Sequence, residues 1–138
     1  MRVEPYLDFE GRCEEALEFY KQAVGAEVTA LMRYTAMPDR SMVTPGLENK
    51  VMHAVLKIGE SVVMASDGHN TGKANFHGIA LTITAETDAD ARRCFDALAE
   101  GGQVNLALGP TFFASSFGML ADKFGVGWMV ITPPAMPG

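Results

Sequence analysis

The chain has 138 residues, 48% of them hydrophobic and 20% charged, with a formal net charge of −6 and a pI near 4.9. A chain of this length buries roughly two-thirds of its unfolded surface without disulfide or metal staples, and the composition is that of an ordinary globular protein. The acidic balance, with no Lys/Arg cluster, argues against nucleic acid and anionic membranes as partners, and no apolar run approaches the roughly 20 residues that span a bilayer.

The opening stretch MRVEPYLDFE carries acids where a signal peptide needs an apolar core, so a cytoplasmic protein is expected. Arg2–Phe9 reads as a strand, with Val3, Leu7 and Phe9 on one parity and Pro5 marking an edge. Gly11 opens a helix to Val24, in which Cys13, Ala16, Leu17, Tyr20 and Val24 repeat at three-and-four spacing opposite Glu14, Glu15, Glu18 and Lys21. Gly25 stops it. Glu27–Thr35 is a second strand. Ala36–Lys50, with Pro38, Pro45, Gly46 and Asn49, is a mobile loop of the length used for lids and binding segments.

Val51–Asp67 is the most informative stretch. Gly59-Glu60 separates two apolar runs, Val51–Ile58 and Ser61–Ser66, and a glycine there supplies the positive φ of a two-residue hairpin turn. The implied register sets Lys57 opposite Val62, Val55 opposite Met64 and His53 opposite Ser66, so these six share one face. The other face carries Met52, Ala54, Leu56, Ile58, Val63 and Ala65 and belongs to the core. An imidazole and a hydroxyl among Val and Met suit the lining of a cavity. His53 is then either a cavity-facing acid/base or hydrogen-bonding group beside Ser66, or a half-buried histidine satisfied by Ser66 or by backbone.

After the polar connector Asp67–Asn75 the pattern restarts. Phe76–Thr84 is a strand. Thr87, with Asp90 three residues on, caps a helix to Ala99 whose buried stripe is Ala91, Cys94, Phe95 and Leu98. Gly101-Gly102 ends it. Strands Gln103–Leu108, Phe113–Ala121 and Val126–Thr132 follow, turned at Gly109-Pro110 and Asp122–Gly125, before a frayed tail, Pro133–Gly138. Asp67 and Asp122 close turns by bonding nearby backbone N–H groups. Cys13 and Cys94 lack metal-type spacing and read as small buried apolar groups. Parity points Trp128 toward the helix layer and Met129 and Ile131 toward the groove. Arg33 and Tyr34 stand beside the loop, where they orient an anionic ligand or make a surface ion pair.

FYKQAVGAEV (Phe19–Val28) and CFDALAEGGQV (Cys94–Val104) both run from a helix's apolar face through glycine into a strand, offset by about 75 residues. The expected fold is α+β: two paired βαβββ modules, 1–70 and 75–133 of a single domain 1–138, forming curved sheets around a groove with one helix covering each.

Three stretches carry a resemblance: EALEFYKQAVGAEV after a Pro-Tyr-Leu strand, MHAVLKIGESVVMASD, and TFFASSFGMLADKFGVGWMV. Together they resemble the vicinal oxygen chelate superfamily, which holds glyoxalase I, extradiol dioxygenases and bleomycin-binding proteins, and within it the PhnB-like branch. DKFGVGWMV is the most specific piece, and Phe113 departs from the branch's usual Trp. The resemblance implies a fold whose enzymes hold a divalent metal through His and Glu on four strands, the metal polarising substrate oxygens. Matched strand by strand, those ligand positions fall on Pro5, Met64, Gly78 and Met129. None of these binds a hard or borderline divalent cation. His77 stands one residue before a ligand position, where alternation sends it to the other face; His69 lies in the connector and is solvated.

The sequence reading is therefore a homodimeric, metal-free protein of the PhnB-like type that binds a small apolar or planar molecule and needs no cofactor. Its expected ligand-binding residues are His53, Ser66, Met64, Val55, Phe113 and Met129. Two alternatives stand beside it: a divalent-metal lyase or dioxygenase using His53 and His77, and a dimeric scaffold whose cavity is filled by its own Met and Phe side chains. No Ser-His-Asp order, glycine-rich phosphate loop or paired carboxylates appear, so no reaction is named.

Overall fold

The computed structural model describes residues 1–39, 41 and 43–134. The chain divides into two compact units, Met1–Ala74 and Asn75–Gly138. The first holds β1 (Tyr6–Asp8), α1 (Cys13–Val24), β2 (Glu27–Arg33), a 3-10 turn (Tyr34–Ala36), β3 (Val51–Ile58) and β4 (Ser61–Ser66). The second holds β5 (Leu81–Thr84), α2 (Asp88–Ala99), β6 (Gln103–Gly109), β7 (Ser116–Ala121) and β8 (Gly127–Thr132). Their sheets run β1-β4-β3-β2 and β5-β8-β7-β6. In each, the first strand pairs parallel with the last and the other pairings are antiparallel. This is the α+β arrangement of two βαβββ modules, with one helix per module. Among the described residues no helix is long and apolar enough to cross a membrane.

In unit 1 the apolar stripe of α1 (Cys13, Ala16, Leu17 and Tyr20) is buried. So are Leu7, Ala54, Leu56, Val63 and Ala65 on one parity of the sheet. Glu14 and Glu15 complement the positive helix N-terminus. Gly25, at φ 67, ends the helix in the left-handed region that a side chain disfavours. The β3–β4 hairpin has the expected register, Ile58 opposite Ser61, Lys57 opposite Val62 and Val55 opposite Met64.

In unit 2 the Thr87 hydroxyl accepts the Asp90 N–H at 3.1 Å and caps α2. Ala91, Phe95 and Leu98 are buried beneath it, as are Leu120, Trp128 and Val130 of the sheet. A Cβ on Gly118 would stand 2.6 Å from the Phe95 ring, so the absence of a side chain lets that ring lie against the sheet.

Several boundaries differ from the sequence reading. Helix α1 starts at Cys13, because Gly11 has φ 110 and Glu10 φ 50. Strand β1 is only Tyr6–Asp8: Pro5 has no N–H, and its carbonyl accepts the Met64 N–H at 3.0 Å as the last rung. Strand β2 ends at Arg33, where the chain coils into the 3-10 turn. Strand β5 begins at Leu81, five residues later than the composition suggests; Gly78, at φ 85, turns the chain there. Strand β7 begins at Ser116, after a turn in which Thr111 N–H reaches the Ala114 carbonyl. Cys13 is buried but Cys94 is half-buried. The loop reading includes Arg40 and Met42, and the frayed-tail reading includes Ala135–Gly138; these lie outside the described residues.

The largest correction concerns Asp67. Its carboxylate does not close a local turn. One oxygen accepts the Cys13 N–H at 2.8 Å and the other the Val51 N–H at 2.7 Å. The residue is 1% exposed. It joins the start of α1, the start of β3 and the end of β4. Asp122 does act locally, accepting from Phe124 N–H at 2.9 Å, Val126 N–H at 3.1 Å and Trp128 Nε1–H at 2.9 Å. Replacing Asp67 with Ala leaves two buried amides unpaired, and urea denaturation will show a loss of about 3 kcal/mol.

Candidate functional site

The face of the unit 1 sheet opposite its core parity collects the residues singled out by the sequence. Met64 is paired with Tyr6 of β1 and Val55 of β3; Asp8 pairs with Ser66, and Met32 of β2 with His53. Alternation along each strand therefore puts Tyr6, Asp8, Met64, Ser66, His53, Val55 and Met32 on one face. His53, Val55 and Met64 are half-buried, whereas Tyr6 and Met32 are 46% and 43% exposed.

His53 and Ser66 sit on this face with different partners. The Tyr6 hydroxyl lies 3.0 Å from His53 Nδ1. The two rings stack with centroids 5.6 Å apart at 30°. Ser66 is buried. Its hydroxyl donates to Asp8 Oδ1 at 2.7 Å and accepts the Gly68 N–H at 3.1 Å. The side-chain partner of each comes from β1, Tyr6 for His53 and Asp8 for Ser66. Tyr6, which the sequence reading did not single out, is the residue that stacks on and bonds to His53. Its signal was its place in the strand that carries Pro5, one of the matched ligand positions.

Polar contacts fix the rim at the end of β4. Glu10 Oε2 accepts the His69 N–H at 3.2 Å, and the Thr71 N–H and hydroxyl at 3.0 Å each. A Cβ on Gly68 would come within 2.7 Å of the Glu10 carboxylate. The Tyr34 hydroxyl donates to the Gly68 carbonyl at 3.1 Å. Arg33 forms a two-pronged ion pair with Glu14, at 3.0 and 2.7 Å, and also donates to the Asn49 carbonyl. Of the two roles read for Arg33, the structure shows the ion pair. His69 is exposed, as expected; His77 is also exposed, in the turn before β5 rather than within a strand.

Unit 2 presents a more apolar face. Met129 lies opposite Met119 and Thr82, and Ile131 opposite Phe117 and Thr84. Trp128 is buried on the other parity, as the sequence implies. Phe113 precedes β7 and is 42% exposed. Its ring stands edge-on to Phe112 and Phe117, with centroids 5.1 Å away in each case.

The donor chemistry of the fold's usual metal positions can now be tested. Pro5 is committed through its carbonyl to Met64 N–H. Gly78 has no side chain, and Met64 and Met129 offer thioethers. Among the described residues no group of three His, Cys, Asp or Glu side chains is placed to hold a metal. His53 and His77, the alternative pair, stand in different units. Pro5, Met64, Gly78 and Met129 do not fit a divalent metal of the hard or borderline kind. The Cys13 thiol is no substitute: burial, and then the Asp67 carboxylate, push it up to about 12.

Two modules of this topology define a glyoxalase-type, vicinal oxygen chelate fold. A glyoxylase/bleomycin resistance protein/dioxygenase domain from Frankia sp. EAN1pec shares it, with a TM-score of 0.68 over 99% of this chain and 94% of that one; at 12% identity the likeness is one of fold. Within that class the chain belongs to the PhnB-like family described as 3-demethylubiquinone-9 3-methyltransferase, whose pattern matches residues 1–131. It is 35% identical to protein YjdN of Escherichia coli (strain K12) over 94% of each chain. The crystal structure of PA1353 from Pseudomonas aeruginosa is similar at 40% identity, TM-score 0.82, over 96% of this chain and 98% of that one. A PhnB protein from Bacillus cereus is similar at 30% identity, TM-score 0.79, over 96% and 99%.

Two tests follow from this geometry. Tyr6 is largely exposed, so Tyr6→Phe will change stability by less than about 1 kcal/mol, while the ¹⁵N shifts of the His53 ring will report an altered tautomer. For Glu10, the Thr71 N–H is the largest influence; outweighing the opposing burial cost together with the Thr71 hydroxyl and the His69 N–H, it holds the carboxyl below its ordinary value near 4.5. A depressed folded value means that the clasp's stability is present above the ordinary range and is lost as pH falls through the folded value. The Thr71 amide shift will follow that acid transition in the native protein and will not in Glu10→Gln.

Proposed function

We propose that this PhnB-like protein binds a small apolar or planar molecule on the Tyr6–His53–Met64 face of unit 1, without a divalent metal, as a cytoplasmic homodimer. The observation that carries the reading is the stacked, hydrogen-bonded Tyr6–His53 pair beside Met64 and Val55. An aromatic surface flanked by a polarizable thioether favours a flat ligand, and the imidazole and hydroxyl together fix its orientation through one or two hydrogen bonds. Ser66 is occupied by Asp8 and shapes the floor. In unit 2, Met129 and Phe113 belong to an apolar surface that suits the same class of molecule. The family description names a demethylubiquinone, a planar ring compound of that class; the methyl transfer it also names is not part of the proposal.

Dimerisation is supported by the edge strands. Leu31 of β2, and Val104 and Leu106 of β6, are exposed. Apolar edges of this kind are commonly covered by a second copy.

The test is an NMR titration with 2-naphthol as a planar probe, combined with sedimentation analysis. Binding will shift the His53 ring and Met64 methyl signals, and Tyr6→Phe will weaken it about fivefold, the value of one modest hydrogen bond. Saturating 2-naphthol that leaves both signals unmoved would overturn the binding proposal. A protein that stays monomeric at the concentrations used for NMR would overturn the dimer.

A further inference from the structure

We infer that Met32, His53 and Met64 form a site for a soft monovalent cation, of which Cu(I) is the biological representative. The inference goes beyond ligand binding by the same face and rests on the sheet register. Met32 is the direct cross-strand partner of His53. Met64 is the partner of Val55, which puts it on the diagonal from His53. Direct partners on one face have Cβ atoms about 5 Å apart and diagonal ones about 7 Å, within reach of long side chains. Two thioethers and one imidazole therefore converge from three adjacent strands.

The chemistry of that set is selective. Thioether sulfur is a poor ligand for Mg²⁺ or Ca²⁺ and a good one for Cu(I), with which imidazole is also compatible. The carboxylate on the same face, that of Asp8, already accepts the Ser66 hydroxyl. The second contact of His53 also fits a ligand histidine. With Nδ1–H donating to the Tyr6 oxygen 3.0 Å away, the ring is oriented and Nε2 presents its lone pair, the arrangement that outer partners impose on metal-bound imidazoles. The methionines are flexible, and Met32 is exposed enough to close over an ion that arrives from solvent. Unit 2 provides an internal contrast. Met119 and Met129 are direct cross-strand partners there, but no histidine joins them on the β7–β8 hairpin.

The experiment uses Ag(I), a redox-inert stand-in for Cu(I), titrated in nitrate buffer into protein labelled at its methionine methyl groups. A Cys94→Ala background removes the half-buried thiol; Cys13 stays, being buried. Stoichiometric Ag(I) will shift the Met32 and Met64 methyls and the His53 ring, and will leave those of Met119 and Met129 in place. Tyr6→Phe will weaken binding by about tenfold, as loss of an outer partner does. Met64→Leu, a swap that conserves volume, will weaken it further, and so will Met32→Leu, which leaves the Tyr6–His53–Met64 surface intact and will still bind 2-naphthol; that separates this site from the flat-ligand reading. Zn²⁺ will not move the methyls. Saturation with Ag(I) that leaves Met32 and Met64 unmoved, or an affinity that Met64→Leu does not change, would overturn the inference.

Discussion

The carboxylate of Asp67 is the constraint on which unit 1 depends. A carboxylate so nearly excluded from water is tolerated only when its oxygens are occupied, and here each meets a backbone N–H at under 3 Å. One amide opens α1, where the orphan donors of a helix start and its positive end favour an anion. The other opens β3. The chain's own N–H returns the bond, to the Val51 carbonyl at 2.9 Å. Through these three bonds the helix that covers the sheet and the strand that carries His53 are held to the end of the strand that carries Met64.

Unit 2 reaches the same topology by different means. Backbone bonds mark the equivalent places: Phe9 N–H to the Ser66 carbonyl in one unit, Ala85 N–H to the Ile131 carbonyl in the other. The residue after Ser66 is Asp67; the residue after Ile131 is Thr132, buried and donating its hydroxyl to the Thr87 carbonyl at 3.3 Å. A neutral hydroxyl thus does the joining that a carboxylate does in unit 1. The buried carboxylate of unit 2 is Asp122, spent within its own turn and on Trp128. The two modules repeat a fold without repeating its polar anchors.

What was legible in the sequence follows from the range of the interactions concerned. The β3–β4 register was readable because Gly59 fixes a two-residue turn and side-chain parity does the rest. The α2 cap was readable because Thr87 and Asp90 are three residues apart. The hydrogen-bond partners of His53, Ser66 and Asp67 were not readable. Tyr6 lies 47 positions from His53, Asp8 58 from Ser66, and Cys13 54 from Asp67; each contact exists only because β1 inserts parallel to β4. Composition also overstated β5 and β7, since Phe76–Ala80 and Phe113–Ser115 are apolar enough for strands yet bend away from the ladder. Ligand positions matched through the family fell on Pro5 and Met64, whereas the aromatic cross-strand partner of Met64 is Tyr6, one residue beyond Pro5.

The parallel pairing of β1 with β4 also sets an order of events during synthesis. The β1 segment leaves the ribosome before its ladder partner, Met64–Ser66, which is made more than fifty residues later. Until then β2 and β3 can pair and α1 can form, but the sheet has no place for β1 and Asp67 has not arrived to join them. The same delay recurs in unit 2, where β5 waits for β8. Each module therefore closes with its last strand, and closing the chain over that distance carries an entropy cost that the β1–β4 and β5–β8 ladders must offset. A nascent chain stalled before Ser66 would carry an unpaired β1 and an incomplete apolar sheet, a state that invites capture by chaperones.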